Sequence, residues 1–330
     1  PAIATPPAAT THKFEAEVDS VLRLVIESLY SNREVFLREL LSNASDALDK
    51  LRFRALTEPA LVPEGESLRI RLEPDAAAGT LTVWDNGVGM TKDELQSHLG
   101  TIAKSGTREL VAQAKAAGGK LDLSLIGRFG VGFYSAFLVS SRVDVISRAA
   151  GVREAWRWSS DGKGTFTMEP ASRVEQGTSV VLHLNDESKT ELLRSWQLEE
   201  LVKKTSDYLH YPIELKVERE KEGPAEYRTI NRGTALWQRS PAEVKDEEYA
   251  ELYKHLAHDG EAPLAHKHFR AEGTTEFTGL LFLPQRQPFD LFDPDSKKGL
   301  RLYVKRVFVM EDAEEILPRW LRFLRGVIDS

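Results

Sequence analysis

Apolar side chains recur at three- and four-residue steps through Val18, Val21, Leu22, Val25, Ile26 and Leu29, which predicts a helix beginning at Phe14. A break at Tyr30-Ser31-Asn32 separates it from a second helix running to about Leu56. Phe36, Leu37, Leu40, Leu41, Ala44, Leu48 and Leu51 form its apolar stripe, with Ser31 or Asn32 as N-cap and Glu34 in the first turn. Alternation then predicts strands at 68–72 and 80–84, a short helix over 92–99, and strands at 143–147, 154–158, 165–168 and 179–184. A helix over 192–209 ends before Tyr211-Pro212, and residues 213–217 form one more strand. Residues 100–129 carry glycine and lysine with weak periodicity and read as a mobile segment framing a site. Past a charged stretch with breakers, Glu218 to Glu226, come a helix over 243–256, strands at 275–283 and 300–310, and a final amphipathic segment.

These changes of pattern divide the chain into a disordered leader over 1–13, a first domain over 14–218, a charged linker over 219–232 and a second, truncated domain over 233–330. The 330 residues are 41% hydrophobic and 29% charged, the balance of a globular chain long enough to bury a core without cross-links. No cysteine is present, which excludes disulfides, thiolate metal sites and cysteine nucleophiles and fits a reducing, cytoplasmic setting. A formal net charge of −7 gives no chain-wide basic footprint for nucleic acid, and no apolar run is long enough to cross a bilayer.

The phosphate-loop signature GxxxxGK[ST] is absent, so a nucleotide site would have to be built another way. Four elements suggest one. Glu39, Asn43 and Asp46 share one face of the second helix, where a carboxylate and an amide can orient a water and ligate Mg²⁺. Asp85 ends a strand and is followed by Asn86-Gly87-Val88-Gly89-Met90; a carboxylate there can accept a hydrogen bond from an adenine amine. Gly127-Arg128-Phe129-Gly130-Val131-Gly132-Phe133 offers backbone amides to an anion ahead of a helix at 134–139. Gly177-Thr178 opens a strand whose hydroxyl can reach a buried base. Each alone has an ordinary explanation: a solvated helix face, an Asn-Gly hairpin turn, a ligand-free glycine turn.

In this order and spacing the four resemble the ATP site of the gyrase, histidine-kinase and MutL superfamily. Longer strings resemble the 90-kDa heat-shock protein chaperones of the bacterial type: Asn32-Arg-Glu-Val-Phe-Leu-Arg-Glu-Leu-Leu-Ser-Asn-Ala-Ser-Asp, Leu99-Gly-Thr-Ile-Ala-Lys-Ser-Gly-Thr and Phe129-Gly-Val-Gly-Phe-Tyr-Ser. Leu280-Leu-Phe-Leu-Pro, Pro288-Phe-Asp-Leu-Phe and Tyr303-Val-Lys-Arg-Val-Phe-Val extend the likeness nearly to the end. The resemblance implies an α+β fold, a two-layer α/β sandwich followed by a partial α/β middle domain. It implies an ATPase that binds ATP or ADP with Mg²⁺ and acts on partly unfolded client proteins.

It also implies roles. Glu39 becomes the general base for the attacking water, Asn43 the Mg²⁺ ligand, and Asp85 the adenine reader, with Gly89 and Thr178 assisting through water and Met90 packing on the base. Gly130, Val131, Gly132 and Phe133 wrap the phosphates, and residues 100–125 form a lid from which Lys104, beside Ser105, reaches a phosphate. Asp46 and His98 complete the nucleotide contacts. Arg128 stands where the family commonly has Gln, and His98 where many members have Asn. The family's γ-phosphate arginine and its dimerisation domain are expected after Ser330. The chain is therefore expected to bind ATP, hydrolyse it weakly and be monomeric, in a parent that is a homodimer.

The alternatives are a DNA-processing ATPase of the gyrase B or MutL kind, which the acidic balance disfavours; a sensor histidine kinase, which lacks a suitable phospho-accepting histidine before the site; and a non-catalytic nucleotide-binding scaffold. The match of Asn43-Ala44-Ser45 to a glycosylation acceptor is set aside because it falls inside a helix. His255, His258, His266 and His268 read as solvated surface rather than a metal site. Phe289, Leu291 and Phe292 read as core, with an exposed client-contacting loop as the alternative.

Overall fold

The computed structural model describes residues 10–13, 33–100, 132–217, 226–257, 260–273, 276–288, 291, 300–313 and 316–330. The expected first helix, Lys104, Ser105, Arg128, Gly130, Val131 and nearly all of the expected lid lie outside them. The chain divides into two units, one of Pro1–Lys203 with Tyr211–Asn231 and one of Lys204–His210 with Arg232–Ser330.

The first unit is built on a nine-stranded sheet of β1 (Thr10–Lys13), β2 (Ile70–Asp75), β3 (Thr80–Asp85), β4 (Ser140–Arg148), β5 (Ala155–Ser160), β6 (Thr165–Ala171), β7 (Gly177–Leu184), β8 (Ile213–Val217) and β9 (Glu226–Thr229). Their order is β1-β6-β5-β4-β7-β3-β2-β8-β9. Every pairing is antiparallel except β2 with β8. Strand β1 occupies part of the expected leader: Thr10–Lys13 pairs with Thr165–Met168 through its backbone, a bond that needs no apolar side chain and so left no pattern to read. Likewise β9 occupies the end of the charged stretch expected to be linker, pairing with β8.

Helix α1 (Val35–Ala55) lies against β2, β3 and the 3-10 helix Gly132–Leu138. Its stripe is the expected one, with Leu37, Leu41, Leu48 and Leu51 fully buried. It starts later than expected, so Glu34 stands at the N-cap position and not in the first turn. Helix α2 (Lys92–Gly100) opens with a capping box, in which Thr91 N–H donates to Glu94 Oε2 (2.7 Å) and Glu94 N–H returns to Thr91 Oγ1 (3.4 Å). The single helix expected over 192–209 is two, α3 (Asp186–Leu192) and α4 (Ser195–Thr205). Asn185 Oδ1 accepts from Ser188 N–H (2.9 Å) and starts α3 earlier than the apolar spacing suggested.

In the second unit, α5 (Asp246–Ala257) accompanies a sheet of order β10-β11-β14-β12-β13, made of β10 (Ala265–Ala271), β11 (Phe277–Leu283), β12 (Leu300–Val304), β13 (Val307–Ala313) and β14 (Arg325–Asp329). The strand expected over 300–310 is a hairpin. Lys305 and Arg306 both have left-handed φ, 49° and 66°, the backbone of a two-residue type I′ turn without the Asn-Gly that usually signals one. Trp237, Tyr208 and Tyr303 pack ring on ring in the core, and buried Asp329 accepts from Trp237 Nε1 (2.9 Å) and Gln238 Nε2 (2.8 Å). His268 is held between Tyr249 Oη and the Trp237 carbonyl, and His266 stacks on Tyr249. Among the described residues no histidine and acidic group gathers to hold a metal. Phe289 and Phe292 lie outside the described residues.

Truncating a fully buried α1 leucine leaves a cavity that the rigid sheet beneath cannot fill. Leu48→Ala is expected to destabilise the first unit by about 2–5 kcal/mol, read as a lowered urea midpoint in far-ultraviolet circular dichroism.

Candidate functional site

The register of three strands builds the floor of a cavity. Asp85 on β3 lies opposite Thr178 on β7, and Thr178 lies opposite Ser147 on β4. Two residues along, Val83, Val180 and Val145 face one another in the same way. Because side chains alternate between faces, both rows point to the same side of the sheet. The result is a polar row beside an apolar one, under a cavity of about 950 Å³, a size suited to a cofactor. Helix α1 forms a wall with Glu39, Leu40, Asn43, Asp46, Ala47 and Lys50. Asp85, Gly89, Met90, His98, Gly132, Phe133 and Thr178 also line it, so every expected site residue among the described ones meets in one hollow.

The turn after β3 is held from both sides. Val88 N–H donates to the Ala47 carbonyl of α1 (3.0 Å), and Ala150 N–H donates to the Val88 carbonyl (2.8 Å). Gly89 has φ of +63°, and a Cβ there would overlap the Arg148 carbonyl, so both conformation and space require glycine. Met90 N–H donates to Ser147 Oγ (2.9 Å). Ser147, fully buried, also contacts Thr178 Oγ1 (2.9 Å) and the Gly177 carbonyl (3.1 Å).

Asp85 Oδ1 accepts from Gly87 N–H (2.8 Å) and Thr178 N–H (3.3 Å), while Oδ2 has no partner among the described residues. Burial pushes its carboxyl up to about 6, opposed by the Gly87 amide, the Arg173 charge and the Thr178 amide. Arg173 approaches from the opposite face, its Nη2 donating to the Asp85 carbonyl (2.7 Å) and its guanidinium 5.4 Å from the Trp84 ring centroid. Burial brings Arg173 itself down to about 10.

Glu39 is buried, and its Oε1 accepts from Arg38 Nε (3.1 Å) and Nη2 (2.8 Å). Adjacent helical residues do not normally face each other, so no helical spacing points to this pair. Gly132 stands against the other oxygen; a Cβ there would overlap Glu39 Oε2. Phe133 is turned into the core, edge-on to Trp158 (5.7 Å) and Tyr134 (5.4 Å), and with Gly132 it also lines the cavity. Tyr134 Oη donates to the Leu99 carbonyl (2.9 Å), tying the 3-10 helix to α2; burial raises the phenol and keeps it protonated.

Asn43 is exposed to the cavity one turn beyond Glu39, and its side chain makes no hydrogen bond among the described residues. Glu39, Asp46, Asp49, Asp85 and Glu94 outnumber Lys50 and Arg54 in the lining. A single amide oxygen on an acidic wall does not make a protein cage for a metal. It fits Mg²⁺ held chiefly by phosphate oxygens and water.

The sequence reading missed Arg38, Ser147, Arg173 and the valine row. Ser147 had a signal: it is the polar member of the inward series Val143, Val145, Ser147. Arg173 sits in a loop and had none.

A carboxyl with a raised value favours folding at low pH. Folded Asp85 keeps its proton to about pH 6, whereas its ordinary value is 3.8, so its contribution to stability falls between those pH values and stays low above them. The penalty is at most about 3 kcal/mol at neutral pH. Asp85→Asn is therefore expected to raise the melting temperature at pH 7.5 and to change it little near pH 4, measured by differential scanning fluorimetry.

Two family models match the sequence. One, described as histidine kinase-, DNA gyrase B-, and HSP90-like ATPase, matches residues 30–187, and one described as Hsp90 protein matches residues 221–330. The Chaperone protein HtpG of Myxococcus xanthus is 55% identical over 98% of this chain and 50% of that protein. That of Alcanivorax borkumensis is 51% identical over 97% of this chain and 52% of its own, and that of Methylococcus capsulatus 52% identical over 96% and 51%. The chain spans about half the length of the curated relatives it matches.

Proposed function

The chain belongs to the Hsp90 family, and we propose that it carries the nucleotide site of an ATP-dependent molecular chaperone. The observation that carries this reading is the convergence of Asp85, Thr178, Asn43, Glu39 and Gly132 on one cavity. Adenine lies on the valine row with its exocyclic amine donating to Asp85 Oδ2, assisted by Gly89 and Thr178, and Met90 flanks the base. The triphosphate runs toward Gly132 and Phe133, with Asp46, His98, Lys104, Ser105, Gly130 and Val131 completing its surroundings. Asn43 would hold Mg²⁺, which neutralises phosphate charge against the acidic wall.

Hydrolysis needs a water in line with the γ-phosphorus. Glu39 orients that water and takes its proton as the new P–O bond forms and the bond to the β-phosphate oxygen breaks. Arg38 fixes one oxygen of Glu39, leaving Oε2, beside Gly132, to face the water. Binding and hydrolysis drive closure of a lid over 100–125 and clamp motions on partly unfolded client proteins in a homodimeric, cytoplasmic parent. Within that parent, residues 14–218 bind nucleotide, 219–232 link and 233–330 begin the middle domain. The match of residues 221–330 to the Hsp90 model supports a chaperone over a DNA-processing ATPase.

Isothermal titration tests the reading. The full chain is expected to bind Mg-ATP as a monomer, more weakly when EDTA removes the metal, and Asp85→Asn to lose binding. Affinity should fall as pH drops through about 6, because protonated Asp85 no longer accepts from the amine. Glu39→Ala should retain binding while losing a turnover that is already slow. Brisk turnover, or a wild type that ignores ATP, would overturn it.

A further inference from the structure

The sheet of the first unit has a second face, turned away from the cavity, because its side chains alternate. One row on that face runs Glu169, Arg157, Ile146, Ser179, Trp84 and Arg71, each opposite the next across the strands. Its cations have carboxylate partners: Arg157 Nη1 donates to Glu169 Oε1 (2.9 Å) and Arg71 Nε to Glu214 Oε2 (3.0 Å). Arg148, two residues beyond Ile146 on β4, faces the same way and is the exception. Its neighbours across the strands are Ala155 on β5 and Gly177 on β7, neither with a polar side chain. Its guanidinium makes no hydrogen bond or ion pair among the described residues, and its Nε is shut off from solvent without an acceptor. The Nε of Arg157, diagonal to it on β5, is in the same state.

Arg173 brings a third cation to this corner. It donates to the Asp85 and Glu175 carbonyls (2.7 and 2.9 Å) and, at 3.4 Å, to Ser179 Oγ. Burial and the charge of Arg148 hold its guanidinium below the ordinary value, against the pull of Asp85 and Glu175. An ordinary solvated arginine would keep its Nε in water. Here donors are closed off beside like charges, and both costs are removed by an acceptor from outside that carries negative charge. The donors come from three places, on β4, on β5 and in the loop after β6. One guanidinium fork is enough for a planar carboxylate, whereas a tetrahedral oxyanion accepts from several directions at once.

We infer that Arg148, Arg157 and Arg173 form an anion site on the face opposite the cavity, and that its ligand is a phosphate-type oxyanion, as the free ion or as the phosphoryl group of a larger molecule. None of the three side chains lines the nucleotide cavity, so the site stands or falls apart from the ATP reading.

The test titrates inorganic phosphate into the full chain by calorimetry, at an ionic strength held constant with chloride. The wild type should bind it, and Arg148→Gln should weaken binding roughly tenfold or more, the worth of a charge-assisted hydrogen bond. Arg157→Gln should weaken it in the same direction and guards against an Arg148 variant that fails to fold. Arg142→Gln removes a cation of the same face that is already paired with Asp144 (2.8 Å), and should leave the affinity unchanged. Phenyl phosphate separates the sources: binding as tight as inorganic phosphate assigns a phosphoryl group, and its exclusion assigns the free ion. A wild type that ignores phosphate, or binding that survives both Arg148→Gln and Arg157→Gln, would overturn the inference. So would an equal loss in Arg142→Gln, which would mean diffuse attraction to the face, or acetate bound as tightly as phosphate, which would make it a carboxylate site.

Discussion

The cavity depends on the register of β7 between β3 and β4. Strand side chains alternate, so a slip of one residue would turn Thr178 and Val180 to the far face and bring Ser179 and Val181 inward. The row of Asp85, Thr178 and Ser147 would be lost, and with it the valine platform. A close backbone approach at the start of β7 holds the register. Gly177 has φ of +105° and passes so close to the Asp85 carbonyl that no side chain fits between them. Met90, Ser147 and Thr178 then lock the neighbouring turn to the same two strands.

On this frame the charges are arranged at a cost. Asp85 is buried with one oxygen satisfied by amides and the other open to the cavity, a poor arrangement for the empty protein and a good one for a ligand that brings a donor. Arg173 limits the cost from the opposite face by pairing with the backbone carbonyl, leaving the carboxylate itself unblocked. Glu39 shows a different solution. Its charge is met directly by Arg38 on one oxygen, and the absence of a side chain at Gly132 leaves room for the other. Both carboxylates are held in a fixed orientation by donors already in place.

Family membership and geometry bear on different parts of the function. The matches cover both units and give the fold and kinship of the chain. The geometry speaks to one cavity of the first unit, where Asp85 and Thr178 stand together on the sheet floor and Glu39 stands on the helical wall.

Local pattern determined what local physics governs. The apolar stripe of α1, the strands β3 to β8, and the clustering of Glu39, Asn43 and Asp46 on one face follow from periodicities of 3.6 and 2, which a single sequence displays in full. Asp85 and the turn after it were legible because a left-handed φ and a close backbone approach restrict residue type at Gly89. What depends on pairing across the chain was not. The backbone pairing of β1, the Lys305-Arg306 turn, the Arg38 clasp on Glu39 and the approach of Arg173 to Asp85 are decided by neighbours distant in sequence or by side chains bending around a helix. Ser147 lies between the two. Its inward polar position was visible in the strand pattern, but its hydrogen-bond partners are in place only once β7 has brought Gly177 and Thr178, and the turn after β3 has brought Met90, around it.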